Sequence, residues 1–256
     1  MQPGLSDAQR KAIHELALWA RELLLQEARE VLEGAYGIYR DGRRDAPDKL
    51  PALRDDAEAQ VIYADLVQHL NDAERAGLSR RETVAELTKE IAFTHLNRLA
   101  AFKMLEARDL TRGILARYHN ANGFLFYLAE HSDDYAHYQQ GRRDAAYRHF
   151  LLWQCGQIAQ ELNVLFDPQA LAGRIFPRPR ALAELVERLN DGALAPIWQA
   201  DETVGWIYQF FNEPDKDAAF ARLKNRKKLR PEDVPDATQL FTTNWIVRYL
   251  VHNTLG

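Results

Sequence analysis

Six basic residues fall within nine positions: Arg222, Lys224, Arg226, Lys227, Lys228 and Arg230, in the string "ARLKNRKKLR" with no acid among them. A run of that density neutralises several phosphates at once and makes binding to a duplex steeply salt-dependent. These six are the candidate DNA-binding residues. The rival reading is a solvated linker face, which is what charge runs usually are. "GRIFPRPR" adds Arg174, Arg178 and Arg180 in a turn, a weaker signal of the same kind. Just before the run, "VGWIYQFFN" concentrates Trp206, Tyr208, Phe210 and Phe211, and aromatic rings stack on unpaired bases. At helical spacing, however, Trp206 with Phe210 and Ile207 with Phe211 form adjacent ridges of one buried face, and core is the better reading.

Catalytic strings are missing. The thirteen glycines are scattered, with no G-x-G-x-x-G or Walker-type cluster to close backbone N–H groups around a phosphate. No acid stands two residues before a lysine, as a metal-dependent nuclease of the PD-(D/E)xK type requires, and G-x-S-x-G and H-E-x-x-H do not occur. His119, His131, His137 and His149 lie in one region near Asp133 and Asp134, yet no pair among the four has the i, i+4 spacing that puts two ligands on one helical face. They read as surface and core histidines, and no metal site is expected. Cys155, the single cysteine, sits in an apolar helical context and reads as a buried structural thiol. No catalytic residue is assigned.

Net charge is −4, and it is uneven. From Arg222 onward seven Lys/Arg face three acids, a surplus of +4, so the remainder carries −8. One cysteine excludes an intrachain disulfide and suits a reducing compartment. The opening "MQPGLSDAQRK" is charged early, and no run approaches the roughly 18 apolar residues of a membrane span. These features predict a soluble, cytoplasmic protein with no membrane partner.

The elements that must position these residues are helical. Ser6 with Gln9, and Ser79 with Glu82, have capping-box spacing. Long helices are expected near 6–33, 56–76, 79–107 and 144–162, the third with Val84, Leu87, Ile91, Leu99, Phe102 and Leu105 on a broad buried face. "FPRPRALAELVERLNDG" has prolines where a helix begins and Gly192 where it stops. The stretch from Asp41 to Pro51 reads as a linker, and the helix of the aromatic block as interrupted at Pro214. "RGILARY" and "QLF" are weak strand candidates in an otherwise all-α body. The chain divides into an irregular multi-helix domain over 1–230 and a lead-in segment over 231–256. In that segment Thr242 or Thr243 caps a helix whose apolar residues Trp245, Ile246, Val247, Tyr249, Leu250 and Val251 run nearly all round, so it needs cover on more than one side.

"RPEDVPDATQLFTTNWIVRYLVHNTLG", with "VGWIYQFFN" before it and "IAFTHLNRLAAFKML" upstream, resembles the PglX family, the adenine-specific DNA methyltransferases of bacteriophage exclusion (BREX) systems. The three blocks stand in the family's order and at roughly its spacing. The resemblance implies a parent enzyme that binds S-adenosylmethionine in a Rossmann-like domain and methylates N6 of an adenine flipped out of double-stranded DNA. It places this chain on the N-terminal region, with the cofactor loop and the Asn-Pro-Pro-Tyr motif beyond Gly256. In the family, "TQLFTP" resembles the motif before the cofactor-binding strand. Thr238, Leu240, Phe241 and Thr242 match it and are the implied cofactor-binding residues, while Thr243 replaces the family's proline and relaxes the turn.

The function expected is that of a helical accessory domain supporting the catalytic domain and contacting DNA or other BREX proteins, inactive alone. The alternative is a protein-interaction module of a phage-defence complex that does not touch DNA. A cryptic nuclease is disfavoured by the missing acid-x-Lys string.

Overall fold

The computed structural model describes residues 5–225, 234, 242 and 244–255. Among the described residues the chain is all-α: no strand is present, and the only sheet-like pairing is an isolated antiparallel bridge between Ile38 and Arg44. No helix among them is long and apolar enough to cross a membrane. Contacts group the chain into two compact units, one of Arg21–Asn190 and one of Met1–Ala20 with Asp191–Gly256.

The larger unit is built on α1 (Asp7–Tyr36, from Arg21 on), α2 (Ala57–Arg75) and α3 (Arg80–Ala107). The start of α3 is fixed by its capping box: Ser79 Oγ accepts from the Glu82 N–H at 3.3 Å, and Glu82 Oε2 accepts from the Ser79 N–H at 3.0 Å. Asp56 caps α2 by accepting from the Ala59 N–H at 2.9 Å. Leu32, Ile62, Leu66, Leu70, Leu87 and Ile91 interlock in the core between these helices.

The stretch from Asp41 to Pro51 is a packed part of this unit and not a linker. Leu50 and Leu53 are buried, and Arg44 donates to Asn71 Oδ1 at 2.7 Å while pairing with Glu74. The Tyr63 hydroxyl donates to the Asp45 carbonyl at 3.0 Å. Arg44 and Asp45 reach α2, while Asp41, Arg43, Asp48 and Lys49 stay exposed, so a polar composition conceals the two anchors.

α3 is enclosed. Residues 95 to 100 are all buried, more than one full turn, so no face of the helix meets water there. Its polar side chains must therefore find partners inside. His95 Nε2 donates to the Ile175 carbonyl at 2.8 Å. Arg98 donates from Nε to the Leu165 carbonyl at 2.8 Å and from Nη2 to the Asp167 carbonyl at 2.6 Å. At the far end, Glu106 Oε1 accepts from the backbone N–H groups of Ile114, Leu115 and Ala116, and Lys103 ties Glu106 Oε2 to Asn190 Oδ1.

These bonds shape the rest of the unit, which continues with α4 (Asn122–Glu130), α5 (Ser132–Gln139), α6 (Arg143–Ala159), α7 (Asn163–Phe166), α8 (Leu171–Arg174) and α9 (Pro179–Leu189). "RGILARY" is not a strand, because its N–H groups close on the Glu106 carboxylate and its chain then turns through left-handed Arg117 and Tyr118. Gly173 in α8 lies against the Arg98 guanidinium: a Cβ there would sit 1.9 Å from Nη1. Cys155 is buried in α6, and burial pushes its thiol up to about 11, which leaves it un-ionised and inert near neutral pH.

The smaller unit contains α10 (Ala195–Trp198), α11 (Thr203–Lys224) and α12 (Asn244–Leu255). Trp198, Ile207 and Phe211 are fully buried in it, as are Ile13 and Leu16 from the first turns of α1. α11 is one helix with Pro214 inside it. Proline removes one backbone bond there, at a cost of about 3 kcal/mol. Buried Phe211 and Ala219 flank it, and their packing offsets that loss.

Two expectations follow. Gly173→Ala displaces a guanidinium that two carbonyls hold, leaving a buried charge short of partners, and should cost about 3 kcal/mol in urea denaturation. A loss below about 0.5 kcal/mol would show that Arg98 is not anchored this way. Burial also holds His95 down to about 4, so the native form is neutral while the unfolded chain takes up its proton near pH 6.5. Stability contributed by His95 is present above pH 6.5 and is lost as pH falls from there to about 4, by up to about 3 kcal/mol. His95→Gln keeps a donor for Ile175 and should flatten denaturation free energy across that window; an unchanged slope would exclude His95 as its source.

Candidate nucleic-acid interface

The basic run begins on the last turn of α11. Arg222 is half-buried and Lys224 exposed, while Arg226, Lys227, Lys228 and Arg230 lie outside the described residues. Cations in this position also complement the negative end of the helix dipole, which is a purely local reason for their presence. Around them the surface is mixed, with Phe220 and Leu223 exposed on the same final turns.

The aromatic block upstream splits along its two ridges. Ile207 and Phe211 are fully buried, as the spacing predicts. Trp206 and Phe210 are half-buried and stack on each other at 5.3 Å between centroids. Each is also contacted from the first turns of α1: the Arg10 guanidinium lies 5.8 Å over Trp206, and His14 meets Phe210 edge-on at 4.8 Å. His14 Nε2 is in turn 2.6 Å from Glu213 Oε2. These rings knit the smaller unit together and are not a platform for bases.

Arg174 and Arg178 are likewise occupied. Arg174 pairs with Asp65 at 2.7 Å. Arg178 grips the buried Glu27 in two-pronged fashion, with Nε to Oε2 at 2.9 Å and Nη2 to Oε1 at 2.6 Å, and also pairs with Glu30. That grip holds the Glu27 carboxyl below its ordinary range and raises the Arg178 guanidinium. The "GRIFPRPR" arginines thus fasten the stretch before α9 to α1 and α8 to α2, work that a phosphate would have to undo. Arg180 is exposed.

One cationic feature escaped the reading of the sequence because its parts are far apart. Arg29, Arg40 and Arg81, all exposed, line with one acid, Glu33, a cleft of about 250 Å³ floored by Leu32, Ile38 and Val84. They come from α1, the turn that follows it and the start of α3.

Of the implied cofactor-binding residues, Thr238, Leu240 and Phe241 lie outside the described residues, and Thr242 is exposed. One exposed hydroxyl supplies neither an acidic partner for a ribose nor an apolar wall for an adenine, so the described residues do not themselves make up a site for S-adenosylmethionine. Beyond it, α12 presents Val247, Tyr249, Leu250 and Val251 to solvent, each at 45% exposure or more. A helix with that much exposed apolar surface is a helix made to be covered.

The four histidines lie in three places. His119 sits beside Asp144 at 3.1 Å, and His131 Nδ1 donates to the Tyr127 carbonyl at 2.8 Å while stacking on its ring. His137 and His149 converge on Asp134, and Asp133 is exposed.

No protein-family model and no solved structure matches the chain significantly. Two curated proteins do. The adenine-specific methyltransferase BrxX of Escherichia coli O9:H4 (strain HS) is 30% identical over 226 residues, 78% of this chain and 18% of that protein. The adenine-specific methyltransferase PglX of Lacticaseibacillus casei (strain Zhang) is 26% identical over 283 residues, 96% of this chain and 23% of that protein. The chain therefore spans less than a quarter of the length of either relative. Within that span, over most of its own length, it is a PglX/BrxX-like chain.

Proposed function

We propose that this chain is the N-terminal helical accessory region of a BREX phage-defence, site-specific DNA adenine-N6 methyltransferase. Its role is to support a catalytic domain and to help hold double-stranded DNA. One observation carries the reading: 78% and 96% of the chain align with under a quarter of two adenine-specific methyltransferases. The chemistry then belongs to the larger remainder, where S-adenosylmethionine would be bound, and this region contributes binding surface. The exposed apolar residues of α12 support a covering domain on that side. The segment 231–256, with Thr238, Leu240, Phe241 and Thr242, forms the lead-in to the methyltransferase core and one wall of its cofactor site. Arg222, Lys224, Arg226, Lys227, Lys228 and Arg230 meet the duplex backbone.

A second reading, a protein-interaction module that never touches DNA, is favoured by the −8 carried by residues 1–221 and by the internal pairing of Arg174 and Arg178. The two separate in one titration. Binding of this chain to a duplex should weaken about tenfold when Lys224, Arg226, Lys227 and Lys228 are all replaced by alanine, with the salt slope reduced by about three to four. An unchanged affinity and slope would leave the interaction module standing. In an assay with labelled S-adenosylmethionine and unmethylated duplex, the 256-residue chain should transfer no methyl groups. Steady turnover by the chain alone would overturn the accessory role.

A further inference from the structure

α5 and α6 form an antiparallel pair in the larger unit, and their facing sides bring three ligand-type groups together. Asp134 and His137 are one turn apart on α5, and His149 comes from α6. One oxygen or nitrogen of each lies within 4.8 Å of the other two. Asp134 Oδ1 is the hub, 2.5 Å from His149 Nδ1 and 3.7 Å from His137 Nδ1. We propose that Asp134, His137 and His149 bind a single zinc-class divalent transition-metal ion that staples α5 to α6.

Three observations beyond proximity support the assignment. His137 Nδ1 is buried and has no hydrogen-bond partner, although it points at the Asp134 carboxylate. An orphaned nitrogen of that kind costs about 1–3 kcal/mol unless something fills the need, and a cation seated against Asp134 does. The outer shell has the arrangement of a metal centre. The second oxygen of Asp134 accepts from the Tyr127 hydroxyl, which fixes the carboxylate plane and leaves Oδ1 facing the two rings. On the far side of the His149 ring, Nε2 lies 4.0 Å from Glu58 Oε2 on α2. Binding the ion would shift the ring proton that His149 Nδ1 now donates to Asp134 over to Nε2, the side that Glu58 faces, so that Nδ1 presents its lone pair.

The donor set, two imidazole nitrogens and one carboxylate oxygen, suits zinc, with a fourth position open to water. Zinc–ligand bonds of about 2.0–2.1 Å in a tetrahedron place ligand atoms about 3.3 Å apart. His149 Nδ1 and Asp134 Oδ1 would separate by somewhat under 1 Å from their present hydrogen bond, and His137 would draw in by less. The ligand nitrogens of the two rings, within 4.8 Å of each other, would also close to that spacing, and both rings are partly exposed and have room to turn.

The site was hidden in the sequence because its α5 pair is spaced i, i+3 and mixes an acid with a histidine, and the third ligand follows only after the turn between the helices. Calorimetric titration of Zn²⁺ into the chelator-treated chain should give one ion per chain with a dissociation constant of about 1 μM or tighter. Co²⁺ should give the intense visible bands of a four-coordinate centre. The double variant His137→Asn, His149→Asn should bind at least a hundredfold more weakly. Tyr127→Phe and Glu58→Gln keep all three ligands and should each weaken binding about tenfold; they decide the question if the double variant does not fold. No saturable binding, or unaltered binding by all of these variants, would mean that the three side chains form only a hydrogen-bonded cluster.

Discussion

The enclosure of α3 is the constraint on which the larger unit depends. A helix buried on every side satisfies its own backbone, but it has no wet face for polar side chains. Residues 95–100 include His95, Asn97 and Arg98, and each is bonded within the protein, Asn97 to the Phe93 carbonyl one turn back and the other two to carbonyls of distant segments. The route of the chain from Leu165 to Ile175 is therefore dictated from inside. It must bring three carbonyls to fixed points along α3, and it must pass close enough that Gly173 lies against the guanidinium.

The same constraint accounts for the irregularity of the fold. A segment whose N–H or C=O groups are claimed by side chains is not free to use them in a regular ladder. Residues 114–116 give their N–H groups to Glu106, while the carbonyl of Ile114 accepts from the Tyr147 hydroxyl at 2.9 Å and that of Leu115 from Asn190 at 3.0 Å. With so little left to pair, the segment runs as turns. α7 and α8 are four residues each for a comparable reason, since the chain between them is held by Arg98. Rigidity here comes from side-chain-to-backbone bonds in a dry interior, where each is worth more than at a surface.

Local signals in the sequence were legible where the physics is local. Both capping boxes form, at Ser6 with Gln9 and at Ser79 with Glu82. Pro179 stands at the start of α9, and Ile207 and Phe211 are core. What the sequence concealed depends on partners far along the chain. Asp41–Pro51 has a linker's composition, yet Arg44 and Asp45 are spoken for by α2. Pro214 looks like a break, but α11 runs through it, with buried Phe211 before it and buried Ala219 after it. Asp134, His137 and His149 belong to no linear motif; their meeting is a property of two helices facing each other. The basic and cofactor-motif residues from Arg226 to Phe241 lie outside the described residues, and their reading rests on sequence and resemblance.

Arginine counts, taken from the sequence, overstate what this chain can offer to phosphate. Arg44, Arg98, Arg174 and Arg178 are each bonded to the protein's own carboxylates or carbonyls, and releasing Arg98 or Arg178 would strand a buried partner. Charge that is used to hold a scaffold is not available for binding, because the desolvated partner left behind would offset the gain. Apart from the exposed arginines of the cleft beside α1, the densest basic run begins where α11 ends, and it adjoins in sequence an α12 whose apolar residues face solvent. Those two features make opposite demands, one for water and anions and the other for a dry cover. A free duplex meets only the first and a simple helix-binding partner only the second. A catalytic domain that packs on α12 while presenting DNA beside it meets both, which is why the accessory reading fits this end of the chain better than either simpler role.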